Sequence, residues 1–217
     1  MWIIQHRVNM PSDLRMLPRH HGAEVDLRYH CDTIVLAHDP YGHHRQNLAS
    51  FEDWIAGWDH EGPLILNVKT EGLEDDCIAL MRKHGVRNWF FLDMSPPYLV
   101  RFSLAAARHE IPGFTPANLA VRFSEHEPLD YALSFAGRAG WVWVDCFSRM
   151  PLDSEAAARL REAGFRICIV SPELQKHDLG RIAEFRGLLE SIQPDAVCTK
   201  RPDLWLQNPQ KAQQFSA

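Results

Sequence analysis

Gly22-Ala23-Glu24-Val25-Asp26-Leu27-Arg28, followed by Thr33-Ile34-Val35-Leu36-Ala37-His38-Asp39, is the stretch on which the fold of this chain turns. It reads as two neighbouring strands that bring Glu24, Asp26 and His38 to one place. Strand side chains alternate between faces, so Glu24, Asp26 and Arg28 share one face and Ala23, Val25 and Leu27 the other. Two acids and an arginine on one strand face are costly to bury unless something pairs with them. A divalent cation and a phosphate would do so. An earlier strand, Trp2-Ile3-Ile4-Gln5-His6-Arg7, ends in a further His-Arg pair. Two histidines, two carboxylates and two arginines are thereby gathered, a set suited to metal-assisted chemistry on a phosphate ester.

Outward from this stretch, strand-like and helix-like segments alternate. Strands are expected at Pro63–Lys69, Asn88–Asp93, Asn118–Glu125, Gly140–Cys146, Phe165–Val170 and Ala196–Thr199. Helices are expected at Glu74–His84, Pro97–His109, Leu129–Ala136, Ser154–Ala163 and Leu179–Ile192. Repeated βα units with apolar strands imply a parallel sheet covered by helices. About eight such repeats in roughly 200 residues fit a compact α/β fold, a (β/α)8 TIM barrel over residues 1–217 as one domain. An open doubly wound sheet is the alternative. The segment Thr33–Ala37 is read as a short partner of the Glu24 strand. The tail from Asp203 to Ala217, with Trp205 and Leu206, is read as a closing helix.

Composition narrows the function classes. The 217 residues are 46% hydrophobic, enough for one large core, and the net charge of −5 gives no hint of a nucleic-acid surface. No apolar run is long enough for a transmembrane helix, and no signal-peptide pattern follows Met1. No GxGxxG or GxxxxGK turn follows a strand, so a nucleotide site is not supported. Five cysteines (Cys31, Cys77, Cys146, Cys168, Cys198) without CxxC spacing suit a reduced, cytoplasmic protein.

Polar residues recur at the carboxyl ends of the strands: His6-Arg7, Glu24/Asp26/Arg28, His38-Asp39, Lys69, Asp93, Ser124-Glu125, Asp145, Ser171 and Lys200-Arg201. In a barrel these ends form one rim, where active sites lie. The pairs His20-His21 and His43-His44 read as loop residues, although His43, His44 and Arg45 follow the His38 strand and would reach the rim. Trp89-Phe90-Phe91, Trp141 and Trp143 read as core.

His6-Arg7, the Gly22-Ala23-Glu24-x-Asp26 strand, His38-Asp39 and Asn67-x-Lys69, in this order, resemble the glycerophosphodiester phosphodiesterase and phosphatidylinositol-phospholipase-C-like superfamily of barrels. The ending Pro194-Asp195-Ala196-Val197-Cys198-Thr199-Lys200-Arg201-Pro202 is similar to that family's last strand. The resemblance implies a divalent cation, Mg or Ca with Mn as a further option, held by Glu24 and Asp26, with Asn67 at the place of a third ligand. It implies His6 and His38 as general acid and base, and Arg7 and Lys69 neutralising the phosphate. The expected substrate is a small-molecule or lipid-derived phosphodiester, cleaved by hydrolysis, with a cyclic phosphate where a neighbouring hydroxyl attacks. Arg28, on the acids' strand face, would add to the phosphate clamp, and Asp39 would orient His38. Arg122, Asp145 and Lys200 are candidates for the leaving-group side.

Two departures stand out. The family usually carries Glu two residues before the Lys, where this chain has Asn67. An amide oxygen can ligate a hard cation but adds no charge. The segment from His38 to Lys69 is also short, so the chain resembles a trimmed relative. Two other readings use the same groups: a degenerate barrel that binds a phosphorylated ligand without turnover, and a transferase passing a phosphorylated alcohol to another hydroxyl.

Overall fold

The computed structural model describes residues 1–40 and 48–206. His43, His44, Arg45 and the end of the expected tail helix, residues 207–217, lie outside the described residues.

Eight parallel strands form a barrel: β1 (Trp2–Gln5), β2 (Gly22–His30), β4 (Leu64–Val68), β5 (Trp89–Leu92), β6 (Ala120–Phe123), β7 (Trp141–Val144), β8 (Arg166–Val170) and β9 (Ala196–Thr199). Their order around the sheet is β5-β4-β2-β1-β9-β8-β7-β6. A ninth strand, β3 (Thr33–Leu36), pairs antiparallel with the far end of β2, from Leu27↔Leu36 to His30↔Thr33. This is the short partner expected from the sequence. Two residues, Cys31 and Asp32, make the turn between them, both with positive φ.

The strands are apolar on both faces because both are covered. Ile4, Ile65, Phe90, Leu92, Ala120, Trp141, Trp143, Cys168, Val170, Ala196 and Cys198 fill the barrel interior. The alternate residues, such as Ala23, Val25, Leu64, Leu66, Val142 and Ile167, pack under the surrounding helices in a second, larger cluster. Those helices are α1 (Pro11–Met16), α2 (Phe51–Ile55), α3 (Glu74–Lys83), α4 (Pro96–Ala107), α5 (Leu129–Leu133), α6 (Ser154–Glu162), α7 (Arg181–Leu189) and α8 (Pro202–Leu206). Helix α3 starts with Glu74, Asp75 and Asp76 and ends with Arg82 and Lys83, which complements its dipole. Gly85, at φ 67°, supplies the left-handed turn that follows it. The short helices α1 and α2 carry no sequence pattern long enough to declare them. No helix among the described residues is long and apolar enough to cross a membrane.

The barrel closes between β5 and β6. That seam carries a single backbone bridge, Phe91↔Leu119. Side chains tie it at both ends: Asn118 Nδ2 donates to the Trp89 carbonyl at 3.0 Å below, and Arg122 Nε donates to Asp93 Oδ1 at 2.7 Å above.

Candidate active site at the mouth of the barrel

Inside the barrel, the carboxyl ends of the strands change from apolar to charged. On β2, Glu24 and Asp26 point inward and are buried to 1% and 0% exposure. Asn67 on β4 lies across from Asp26 in register, and its amide Nδ2 donates to Glu24 Oε1 at 2.6 Å. The backbone N–H of Arg7 donates to Glu24 Oε2 at 2.7 Å, a bond made with Arg7 at φ 58°. Asn9 grips Asp26 at two points: its Nδ2 donates to Oδ2 at 2.8 Å and its Oδ1 accepts from the Asp26 backbone N–H at 2.9 Å. Arg7 Nε and Lys69 Nζ each lie 3.7 Å from an Asp26 oxygen. His6 Nε2 lies 3.8 Å from Glu24 Oε2.

These partners do not saturate the acids. Asp26 Oδ1, Asn67 Oδ1 and His6 Nδ1 are buried and make no hydrogen bond. Burial and the neighbouring Asp26 push the Glu24 carboxyl up, against the donors on Asn67 and Arg7 and the charge of Lys69. Two adjacent buried carboxylates, with one oxygen, Asp26 Oδ1, that accepts nothing, are an electrostatic debt that a cation would relieve. Among the described residues no group of three or more His, Cys, Asp or Glu side chains is arranged to hold a metal. A cation here would rest on Glu24, Asp26 and the Asn67 amide oxygen, an all-oxygen donor set that suits a hard divalent ion. The residues present fit such an ion.

Among the described residues, His6 is the one histidine inside the mouth. Burial, then the positive charges of Arg7, Lys200, His38 and Lys69, lower its pKa to about 3. It is neutral across the physiological range. His38 follows β3 at the rim, with Nδ1 2.7 Å from Asp39 Oδ1.

The other expected residues divide. Lys69 is at the centre, 3.0 Å from Asp93 Oδ2. Arg122 reaches Asp93 and, through NH1, Asp145 Oδ2 at 2.7 Å. Asp145 Oδ1 accepts from Gln175 Nε2 at 2.7 Å and from the Cys146 N–H at 2.9 Å. Lys200 is exposed, and its backbone N–H donates to Glu173 at 3.0 Å. Arg28 lies where β2 leaves the barrel to pair with β3. Its Nε and NH2 donate to the His38 carbonyl at 3.3 and 2.9 Å, and its NH1 to the Lys69 carbonyl at 3.0 Å. It staples the two chain ends that carry His38 and Lys69.

Sequence reasoning missed Asn9, Gln175 and Glu173. The last accepts from Thr199 Oγ1 at 2.6 Å and from Ser171, beside the buried Trp205 whose indole donates to Ser171 Oγ at 2.7 Å. Asn9 stands two residues after Arg7, a spacing that means nothing until Asp26 is placed beside it.

A (β/α)8 barrel with a buried acid pair and a ring of cations at its carboxyl-end mouth is thus the class of protein the fold and site define. Solved structures with that fold include a glycerophosphodiester phosphodiesterase from Agrobacterium tumefaciens str. C58, matched at TM-score 0.67 and 17% identity over 94% of this chain and 98% of that one. A Galdieria sulphuraria protein proposed to be a glycerophosphodiester phosphodiesterase matches at TM-score 0.68 and 19% identity, over 94% and 96%. A glycerophosphoryl diester phosphodiesterase from Parabacteroides distasonis ATCC 8503 matches at 0.62 and 15%, over 94% and 84%. By sequence, no family model and no curated protein matches the chain.

Proposed function

We propose that this barrel is a divalent-cation-dependent phosphodiesterase acting on a small or lipid-derived phosphodiester. The observation that carries the proposal is the pair of buried carboxylates whose neighbouring oxygens, Asp26 Oδ1 and Asn67 Oδ1, accept no hydrogen bond, with His6 and Lys69 beside them. The fold shared with glycerophosphodiester phosphodiesterases supports the same reading.

Glu24, Asp26 and Asn67 would hold the ion, Mg or Ca, with Mn as a substitute. Bound there, it would polarise a phosphoryl oxygen and stabilise developing charge. The chain's own groups do the rest. Arg7 and Lys69 bind the phosphate and balance its charge. Beyond burial, Arg7, Lys200 and Lys69 depress His6, and their share is offset once an anionic phosphodiester sits among them. Its proton affinity then rises, which suits it to take the proton of the attacking hydroxyl or water at one ring nitrogen. His38, oriented by Asp39, gives a proton to the leaving alkoxide. A cytoplasmic location is part of the proposal and rests on the free thiols.

The test is a screen of phosphodiesters with Mg, Mn and Ca, comparing wild type with His6→Ala and His38→Ala. Cation-dependent turnover lost in both variants is expected. Turnover that survives both would remove the acid/base assignment. Binding without turnover is the second reading, and the Asn67 amide donating to Glu24 favours it. Cation-dependent stabilisation with no product from any diester would establish it.

A further inference from the structure

Asp93 directly follows β5 and has φ 62°. Leu92 points into the barrel, so strand alternation alone would send the next side chain outward. The left-handed backbone instead turns the Asp93 carboxylate into the mouth. Few non-glycine residues hold that conformation, and they cluster at functional sites. There Oδ2 accepts from Lys69 Nζ at 3.0 Å, and Oδ1 accepts from Arg122 Nε at 2.7 Å. Lys69 Nζ also lies 3.7 Å from Asp26 Oδ1, too far for a hydrogen bond. The ammonium thus sits between two carboxylates and is drawn to Asp93.

We propose that Asp93 is a positioning residue that holds the Lys69 ammonium away from Asp26 and so keeps Asp26 Oδ1 available to a divalent cation. This rests on the cation reading above. An ammonium and a metal ion compete for the same oxygen. Without the Asp93 charge, Lys69 would close onto Asp26, and an incoming ion would have to displace it. The rest of the network is built to keep Asp93 in place. Arg122 bridges Asp93 to Asp145, and Asp145 is pinned by Gln175 and the Cys146 N–H. The chain of pairs runs from the β7–β8 side of the mouth to β4, and its terminal carboxylate meets Lys69.

The experiment is a double-mutant cycle read by calorimetric titration with Mn and with Ca. Asp93→Asn keeps an oxygen for Arg122 and tolerates the left-handed backbone. It should weaken ion binding by about tenfold with Lys69 present, and by less than about twofold in the Lys69→Met background. Melting curves without ion establish that each variant folds, and Asp93→Gly, suited to the same backbone, gives the cycle by a second route. Equal weakening in both backgrounds would show Asp93 acting through its own charge and would overturn the assignment. Unchanged affinity of Asp93→Asn would overturn it too. A wild type that binds neither ion would instead sink the cation reading on which the inference stands.

Discussion

Asn67 donates its side-chain amide to Glu24 at 2.6 Å while its own oxygen, buried beside Asp26, accepts nothing. A carboxylate at position 67 could not make that bond. The amide therefore satisfies Glu24, and under the proposed cation reading its oxygen would be a ligand without a third negative charge. Asn67→Glu is expected to bind Mg or Ca more tightly and to be less stable without ion. Adding a third buried acid should cost about 2 kcal/mol, roughly 6 °C in melting temperature. Melting curves with chelator and with Mg check both halves.

The histidines make the sharpest kinetic test. His6→Ala and His38→Ala should each lower phosphodiester turnover by about 100-fold or more, the usual contribution of one positioned acid or base. Steady-state rates at saturating ion measure it.

Glu24 gives a pH dependence whose sign is fixed. Its carboxyl is raised above the ordinary value of 4.5, because of burial and Asp26. Between 4.5 and the raised value the folded protein holds a proton that the unfolded chain has released. Its contribution to stability therefore falls as pH rises through this window. Glu24→Gln should be more stable than wild type at pH 8 with chelator present, and the difference should vanish near pH 4. Urea denaturation at both values reads it.

Arg28 separates two roles. With three of its N–H groups on the His38 and Lys69 carbonyls, it would act on the proposed site through the backbone. Arg28→Lys should lower kcat by about tenfold, since small misplacements of catalytic groups are costly. KM for the diester and the ion affinity should stay near wild type. A rise in KM with kcat unchanged would place Arg28 in the phosphate clamp instead.

The β2–β3 turn stores removable strain. Cys31 and Asp32 sit at φ 47° and 61°, a pairing that favours Asn-Gly in two-residue hairpins. Cys31→Asn with Asp32→Gly should stabilise the protein by about 1 kcal/mol, seen as a higher denaturant midpoint with unchanged slope.

The strands were legible because each carries apolar residues on both faces, and their polar ends announced the rim. Glu24, Asp26, Lys69 and His6 converge as alternation requires. Arg28 obeys the same count, yet its position on the β2–β3 extension gives its guanidinium carbonyls to bind, and no pattern of alternation contains that. Helix α2 had a signal in Ser50, whose hydroxyl accepts from the Asp53 N–H at 3.4 Å, but five residues are too few for periodicity to show. Asp93 was visible as a rim residue. Its inward turn was not, because a positive φ on aspartate depends on what Lys69 and Arg122 offer it.

The thin joint between β5 and β6 has its own consequence. Around the rest of the cylinder, neighbouring strands are laced by main-chain bonds, whereas here an ion pair and one amide do much of the fastening. Amide exchange should be fastest along that joint. Substitutions that neutralise the upper clasp would then be felt first as breathing of the wall itself, so that the charge balance of the cleft and the mechanical integrity of the container share the same two side chains.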